Sequence, residues 1–237
     1  MTNSTIHSKE IPIITIDGPV GSGKGSLAVM LAKHLNYHLL DSGALYRVLA
    51  LAITKEGVNV DDEPAIQKLA VNLDVSFKEK TVGEPAAIIL NNQDVSHEIR
   101  QEECGSLASV ISAYSAVRAA LMGRQREFLK SPGLVADGRD MGTVVFPDAH
   151  IKFFLTASQE IRALRRLKQL QDKACSVNLT ALLDEIKSRD DRDINRLISP
   201  LKPANDAIVI DSSAMTINQV FNKMVEIVQN ACLPSSK

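Results

Sequence analysis

The amino-acid sequence predicts an α/β fold, in which a mostly parallel sheet is flanked by helices and carries a small antiparallel insertion. Three observations predict this class. Short β-rich apolar runs alternate with stretches of helical spacing, which is typical of a parallel sheet covered on both faces. A glycine-rich loop joins the first apolar run to the first helical stretch. Two extended pieces, close together and surrounded by turn formers, indicate an antiparallel excursion.

The core elements follow one another in a regular order. The predicted strands are IPIITI (11–16), YHLL (37–40), GLVAD (133–137), IKFFL (151–155) and AIVI (207–210). The helical stretches cover 27–35, 44–53, 106–130, 158–173 and 179–196. A last helix is predicted to begin at Thr216, where Gln219 three residues later completes a capping box.

The segment 72–100 differs in character from the rest of the chain. It contains the extended pieces VSF (75–77) and AAIIL (86–90) among Gly, Pro and Asn residues. Short strands separated by turns are typical of antiparallel pairing rather than of βα units. We therefore predict one core formed by 1–71 and 101–237, with 72–100 as an insertion.

The charge balance argues against the attraction of anionic partners by the overall electrostatic field of the protein. The 237 residues include 27 Lys+Arg and 28 Asp+Glu, a formal net charge of -1, so no overall field favours nucleic acid or an anionic membrane. Hydrophobic residues make up 45% of the chain, which is enough for a sizeable core. Any anionic ligand must therefore be recognised by local clusters of charge.

The cysteines and the N-terminus indicate a cytoplasmic protein. Cys104, Cys175 and Cys232 are too far apart for metal-ligand spacing, and their odd number argues against a disulfide framework. We see neither the basic start and apolar stretch of a signal peptide nor an apolar run near the ~20 residues of a membrane span. Because no long heptad pattern is present, we expect a monomer. The charge balance and the lack of a long apolar run predict neither nucleic-acid nor membrane partners.

The stretch DGPVGSGKGS (17–26) carries the most specific motif. Gly18 is followed by four free positions and then by Gly23 and Lys24, as in phosphate-binding loops. Glycines between a strand and a helix let backbone N–H groups cradle a polyphosphate, which the lysine can reach. The hydroxyl that usually follows the lysine comes one residue late, at Ser26. The alternatives are a turn that merely starts a helix, a dinucleotide site, which lacks its GxGxxG, and a GTPase, which lacks its Asn-Lys-x-Asp.

Three further stretches combine arginines with carboxylates: DSGALYR (41–47), DGRDMG (137–142) and SRDDRDINR (188–196). The first two follow predicted strands, and a hydroxyl with helix N-terminal N–H groups can hold an anion there. In the third, Arg189, Asp193 and Arg196 are spaced i, i+4 and i+7, which predicts one helical face. Each stretch also has an interpretation without a ligand. The plain alternative is an N-cap before a surface arginine for the first, a loop ion pair for the second, and a solvated helix with i,i+4 ion pairs for the third.

The ending Gly25-Ser26 resembles the phosphate loop of nucleoside monophosphate kinases, and within that group the chain is similar to the bacterial cytidylate kinases. The matching stretches are ITIDGPVGSGKGS, LLDSGALYRVLAL, NNQDVSHEIR, ADGRDMGTVVFPDA and IKSRDDRDINR, in the family's order over about 13–211. One departure is Ser115-Ala116, where Pro-Arg is more usual. The resemblance implies a P-loop NTPase-type fold, ATP as phosphoryl donor, Mg²⁺ as cofactor and CMP or dCMP as acceptor.

The resemblance also implies roles for the motif residues. ATP is bound by Gly18, Pro19, Val20, Gly21, Ser22, Gly23, Lys24, Gly25 and Ser26. The acceptor is bound by Asp41, Ser42, Arg47, Ser109, Arg118, Arg139, Asp140, Arg189, Asp193 and Arg196. Catalysis involves Lys24, Arg139, Arg165, Arg166 and Arg189, with Arg165 and Arg166 on a lid around 158–175. Mg²⁺ is held by Ser26 and, through water, by Asp137.

Two alternatives to this function remain open from the sequence. A related enzyme could prefer UMP or AMP as acceptor. A nucleotide-binding regulator could use the loop as a sensor, although a sensor has no need of the many acceptor-side arginines. The type of acceptor that receives the phosphoryl group distinguishes these possibilities.

Overall fold

The computed structural model describes residues 11–78, 87–171 and 178–231. Its strands are β1 (Ile13–Asp17), β2 (His38–Asp41), β3 (Val75–Lys78), β4 (Ala87–Leu90), β5 (Gln93–Asp94), β6 (Leu134–Gly138), β7 (Ile151–Thr156) and β8 (Ile208–Asp211). Its α-helices are α1 (Lys24–Leu35), α2 (Ser42–Glu56), α3 (Glu63–Val71), α4 (Glu102–Ile111), α5 (Ser115–Arg126), α6 (Gln159–Gln171), α7 (Leu179–Ile194) and α8 (Ile217–Asn230).

A five-stranded parallel sheet lies at the centre, in the order β2-β6-β1-β7-β8. Successive residues of β1 face opposite sides, so that Ile14 and Ile16 pack with α1 and α8 while Ile13 packs with Leu45 of α2. Both faces are therefore buried under helices, as the sequence predicts. The glycine loop leaves the sheet at the carboxyl end of β1, the edge at which open α/β sheets bind ligands.

A three-stranded antiparallel sheet, in the order β3-β4-β5, lies within the segment predicted as an insertion. Ile88 and Leu90 of β4 pack in one cluster with α2, α3, α4 and α5. The predicted fold class, including its small antiparallel addition, is confirmed. Residue 86, the first of the predicted AAIIL piece, lies outside the described residues. The boundaries of the insertion stay predictions.

The helical stretch predicted over 106–130 is in fact two helices, α4 and α5, with a bend of 106° between them. The Ser112 hydroxyl donates to the Ser109 carbonyl oxygen at 2.8 Å, and Arg118 donates to the Ser112 carbonyl oxygen at 3.1 Å. These bonds replace the continuation of the helix. In the described part of the chain no single helix is long and apolar enough to cross a membrane, and only this bent pair meets both criteria when its two helices are taken together.

Helix α7 ends earlier than predicted, at Ile194 rather than at Arg196. The Asp193 carbonyl oxygen accepts from the Leu201 N–H at 2.8 Å, so the chain turns away instead of adding another helical turn. Arg196 therefore follows the helix and does not lie on its face. Helix α3 has no counterpart in the sequence prediction, and the last part of the predicted lid, residues 172–175, lies outside the described residues.

Candidate active site

The glycine loop, residues 18–23, carries the chain from β1 into α1 at Lys24. Gly21 and Gly23 have φ angles of 75° and 92°, in the left-handed region that favours glycine. A side chain on Gly21 would also meet Arg162, whose Cβ lies 3.0 Å from the position of the missing Cβ. The loop is thus shaped both by its own glycines and by α6, and it ends at a helix N-terminus, where backbone N–H groups favour phosphate.

Gly25, the residue after Lys24, has little room for a side chain, which is why the hydroxyl of the motif comes one residue late. A Cβ on Gly25 would lie 3.2 Å from Asp137 Oδ2, a distance tighter than ordinary van der Waals contact. The absence of a side chain therefore lets the carboxylate at the end of β6 approach the loop. The hydroxyl comes one residue later, on exposed Ser26 in the first turn of α1.

Lys24 and Asp137 lie in surroundings that disfavour their charges. Burial, followed by the charge of Arg139, lowers the pKa of Lys24 to about 8. Burial raises the pKa of Asp137 to about 7, although Lys24 acts in the opposite direction. Among the described residues, Asp137 Oδ1 is buried without a hydrogen-bond partner. An incoming anion would stabilise the charged lysine, and an incoming cation would stabilise the charged carboxylate.

A cavity of about 240 Å³ opens beside Lys24, next to the carboxyl ends of β2 and β6. All ten residues implied in acceptor binding line it, although their roles stay predictions. Its charged side chains are Lys24, Arg47, Arg118, Arg139, Arg189 and Arg196 against Asp41, Asp137, Asp140 and Asp193. Six cationic groups facing four carboxyl groups favour a ligand that carries negative charge.

The start of α2 forms one wall of the cavity. Asp41 is the N-cap, and its Oδ1 accepts from the backbone N–H three residues on at 3.1 Å. Ser42 is buried against Gly138, where an added Cβ would lie 2.6 Å from the serine Oγ. Arg47 donates to the Ile99 carbonyl oxygen at 3.0 Å. Asp41 is therefore the N-cap of α2, as the plain alternative predicted, and it also lines the cavity.

A second wall contains a buried ion pair between Arg118 on α5 and Asp140 after β6. Arg118 also donates to the Ser112 carbonyl oxygen at 3.1 Å, and its guanidinium carbon lies 5.8 Å from the centroid of the Tyr46 ring. An Arg and a carboxylate held side by side offer donors and acceptors at fixed positions. Such a pair suits a flat ligand with both acceptors and an amine on one edge.

The third wall comes from α7 and the residues after it. Arg139 Nε donates to Asp193 Oδ2 at 2.7 Å. Burial opposes ionisation of Asp193, but the charge and hydrogen bond of Arg139 outweigh it and hold the pKa of that carboxyl below its usual value. Burial, followed by the charge of Arg139, lowers the pKa of Arg189 to about 10. In the described part of the chain, the buried Nε atoms of Arg189 and Arg196 have no hydrogen-bond partner, so both can still donate to a ligand.

The two arginines implied on the lid do not line this cavity. Arg165 donates to the Ser212 hydroxyl at 3.0 Å and to the Ser22 carbonyl oxygen at 3.3 Å, so it lies beside the glycine loop. Arg166 donates to Glu102 Oε2 at 2.5 Å, which links α6 to α4. In this conformation the first lies beside the glycine loop and the second is held by a carboxylate.

Several residues around the site were missed by the sequence interpretation. Tyr46 and Ser112 line the cavity. Arg162 is buried, donates to the Val20 carbonyl oxygen at 3.0 Å and pairs with Asp190. The position of Tyr46 inside DSGALYR was an available signal. The sequence carries none for the contact between Arg162 and Asp190, because their pairing depends on how two helices pack.

The residues present fit a divalent cation shared with phosphate. No group of three or more His, Cys, Asp or Glu side chains suited to a metal occurs among the described residues. Asp137, with its unpartnered buried oxygen, and the Ser26 hydroxyl are both at the glycine loop. A hard cation such as Mg²⁺ commonly takes only one or two protein oxygens and completes its shell with phosphate oxygens and water.

A glycine loop at a helix N-terminus, with an arginine-lined cavity beside its lysine, defines a P-loop protein of the nucleotide kinase type. The family model for cytidylate kinase matches residues 14–230 of the chain. The cytidylate kinase of Aeromonas hydrophila subsp. hydrophila is 57% identical over 210 residues, 89% of this chain and 90% of the relative. That of Nitrosococcus oceani is 56% identical over 218 residues, 92% of this chain and 96% of the relative. The chain belongs to the cytidylate kinase family, so the resemblance of its motifs is confirmed.

Proposed function

We propose that the protein transfers the γ-phosphoryl group of ATP to CMP or dCMP, giving ADP and CDP or dCDP, within pyrimidine nucleotide metabolism. The observation that carries this proposal is the cavity itself. It begins beside Lys24 and is lined by five arginines from four separate parts of the chain. Bringing two anionic phosphate groups together costs electrostatic energy, and converging cations offset that cost.

The donor phosphates bind to the glycine loop and the first turn of α1, Gly18 to Ser26. Lys24 lies at the junction of loop and helix, where it can neutralise the β- and γ-phosphates. Burial lowers its pKa to about 8, so phosphate binding favours its charged form. Arg165, beside Ser22 in the same loop, is placed to add charge on the donor side.

The acceptor phosphate binds between α2 and α7. Ser42 and Arg47 of α2 contribute to this site together with Arg139 and Arg196, which line the same cavity. Arg189 and Asp193 lie at the ribose, where Asp193 can accept from a 2′-hydroxyl. This contact makes the ribonucleotide bind at least as well as the deoxy form.

The base binds at the Arg118–Asp140 pair, with Ser109 beside it. Cytosine presents an amine donor next to two acceptors on one edge. A carboxylate suits the amine, and a guanidinium suits the acceptors. UMP carries a carbonyl oxygen in place of the amine, so the carboxylate of Asp140 disfavours it.

Ser26 and, through water, Asp137 would hold Mg²⁺. A cation held there would neutralise charge on the donor phosphates and help to orient them. The acceptor phosphate is already an anion, so the attacking oxygen needs no general base. Closure of α6 over the donor would bring Arg166 towards the phosphates and exclude water, which competes with CMP as acceptor.

We further propose that the protein acts as a monomer in the cytoplasm. The monomer is supported by the lack of a long heptad pattern in the sequence, and the cytoplasm by the cysteine usage. Size-exclusion chromatography with light scattering measures the oligomeric state directly, and a stable dimer would contradict the monomer.

A panel of acceptors tests the proposed function. ATP and Mg²⁺ are supplied with CMP, dCMP, UMP or AMP, and ADP formation is followed by a coupled assay. We expect kcat/KM for CMP and dCMP to exceed that for UMP and AMP by at least 10-fold. A higher kcat/KM for UMP or AMP would show that this nucleotide, rather than CMP, is the substrate. Absence of transfer to every monophosphate, together with nucleotide-dependent binding of a protein partner, would favour a sensor.

A further inference from the structure

We infer that Asp17 is a positioning residue for the acceptor site: its carboxylate holds the backbone at Met141 and Gly142 and thereby places Arg139 and Asp140. The inference rests on the proposed function, because it assigns Asp17 an effect on CMP through these two side chains. Asp17 is the last residue of β1, directly before the glycine loop. It does not line the acceptor cavity.

Both oxygens of the Asp17 carboxylate are in use. Oδ1 accepts from the Met141 N–H at 2.8 Å, and Oδ2 accepts from the Gly142 N–H at 2.8 Å. The residue is 4% exposed, so water does not compete for these bonds. Hydrogen bonds to an ionised acceptor are stronger than neutral ones, and a pair to consecutive amides also fixes direction.

The segment held by Asp17 is an unusual one. Met141–Val145 forms a single π-helical turn, a rare element that recurs at functional sites. The first amides of such a turn have no partner within the turn itself. Asp17 satisfies two of them from a neighbouring strand.

Asp17 fixes the chain on both sides of the two acceptor residues. Before them, its backbone pairs in register with Gly138, the last residue of β6. After them, its side chain holds Met141 and Gly142. Only Arg139 and Asp140 lie between these two attachments. A shift of the second attachment therefore moves the side chains proposed to bind the acceptor phosphate and the base.

Keeping a carboxylate in this position costs free energy. Burial raises the pKa of Asp17 to about 6, although the bonds from Gly142 and Met141 act in the opposite direction. Asn has nearly the same shape but accepts at only one of its two terminal atoms, and its amide nitrogen would face a second donor. The arrangement needs two acceptors, which explains why a costly carboxylate is retained.

The test compares the full-length wild type with Asp17→Asn and a matched control, Thr15→Val. Thr15 is buried on the same face of β1, its Oγ1 has no partner in the described part of the chain, and it lies 2.7 Å from where a Gly142 Cβ would be. For Asp17→Asn we expect kcat/KM for CMP to fall about 10- to 100-fold, because small misplacements of binding groups have effects of this size. The ratio of CMP to UMP activity should fall as well, while KM for ATP changes less than 3-fold. Thr15→Val should retain the wild-type values.

A purely structural role predicts a different result. It lowers the melting temperature and the folded fraction, but the folded molecules keep their KM for CMP and their preference for CMP over UMP. A folded Asp17→Asn variant with both values unchanged would overturn the inference. Wild type without activity on CMP would remove the proposed function and the inference together, whereas an active wild type with an unchanged variant removes the inference alone.

Hydrogen exchange decides the matter if Asp17→Asn does not fold. In wild-type protein the Met141 and Gly142 amides should be protected, and CMP should increase their protection. Exchange of these two amides at the rates of an unstructured peptide, with CMP bound, would overturn the inference.

Discussion

Arg162 and Asp190 form a buried ion pair that joins the glycine loop to two helices. Arg162 Nη1 lies 2.9 Å from Asp190 Oδ1, and the same guanidinium donates to the Val20 and Ala157 carbonyl oxygens at 3.0 Å each. The two side chains are only 4% and 7% exposed. Asp190 neighbours Arg189, so one guanidinium connects the glycine loop with the helix that lines the cavity.

Loss of the Asp190 charge should destabilise the protein strongly. Asp190→Asn leaves the buried guanidinium of Arg162 without its counterion, a change that typically costs about 3–5 kcal/mol. The expected fall in melting temperature is about 10 °C for a chain of this length. Asp191→Asn, an exposed neighbour on α7, is the matched control and should change stability by less than about 0.5 kcal/mol. Equal melting temperatures of the two variants would contradict this prediction.

Glu102 should compete with ATP for Arg166. Their ion pair is 2.5 Å long and partly exposed, so it contributes at most about 1 kcal/mol. If Arg166 leaves Glu102 to reach the phosphates, Glu102→Gln should lower KM for ATP by about 2- to 5-fold. The control is Glu98→Gln, which removes the equally exposed partner of Lys55 and should leave KM for ATP unchanged. A rise in KM for ATP in Glu102→Gln would mean that the pair helps to form the donor site.

Asp140→Asn should weaken the preference for CMP over UMP. The carboxylate can accept from the cytosine amine but repels the carbonyl oxygen of uracil, whereas an asparagine amide can donate to that oxygen. We expect the ratio of kcat/KM for CMP to that for UMP to fall about 10- to 100-fold. The ratio is independent of the folded fraction, so any loss of stability from the broken Arg118 pair does not disguise the result. An unchanged ratio would place the base elsewhere.

Asp137→Asn should make the empty protein more stable while it reduces activity. The folded pKa of about 7 exceeds the usual 3.8, so the folded state holds its proton while the unfolded chain releases it. Wild-type stability therefore falls as pH rises from about 4 to 7 and stays low above that range. Asparagine cannot ionise, so the variant does not lose folding stability in this way. It should be more stable than the wild type by about 1–3 kcal/mol at pH 8, because each unit of pKa difference between the folded and unfolded states corresponds to about 1.4 kcal/mol.

Denaturation with urea, in chelator and without nucleotide, measures the effect of Asp137→Asn at pH 5 and pH 8. The advantage of the variant should be larger at pH 8. A variant that is less stable than the wild type at pH 8 would show that the paired charge of Lys24 outweighs the cost of burial.

Local spacing predicted the parallel sheet and the glycine loop, whereas the full set of residues that line the cavity was implied by the family resemblance. Lys24 follows a strand and a loop of fixed length, and Asp41 and Asp137 lie at strand ends that a parallel sheet brings to one edge. Helix periodicity placed Arg189 and Asp193 together. Local spacing was therefore sufficient for residues whose position follows from the end of a strand or from the turns of a single helix.

Contacts between distant segments could not be predicted in the same way. Asp17 and Met141 are 124 positions apart, and Arg162 and Asp190 are 28 apart. Such pairs depend on how helices and strands pack against one another, and the spacing of hydrophobic residues does not predict that packing. The break at Ser112 was also missed, since hydrogen bonds of side chains, rather than Gly or Pro, end α4 there.

The proposed function depends on transfer of the terminal phosphoryl group of ATP to CMP beside Lys24. ATP radiolabelled in the γ-phosphate, supplied with Mg²⁺ and CMP to wild type and to Lys24→Ala, follows this transfer. We expect one labelled CDP for each ADP formed by the wild type, and at least a 100-fold slower appearance of label in CDP for a folded Lys24→Ala. Label released as inorganic phosphate at a rate independent of CMP, or near-normal transfer by Lys24→Ala, would contradict it.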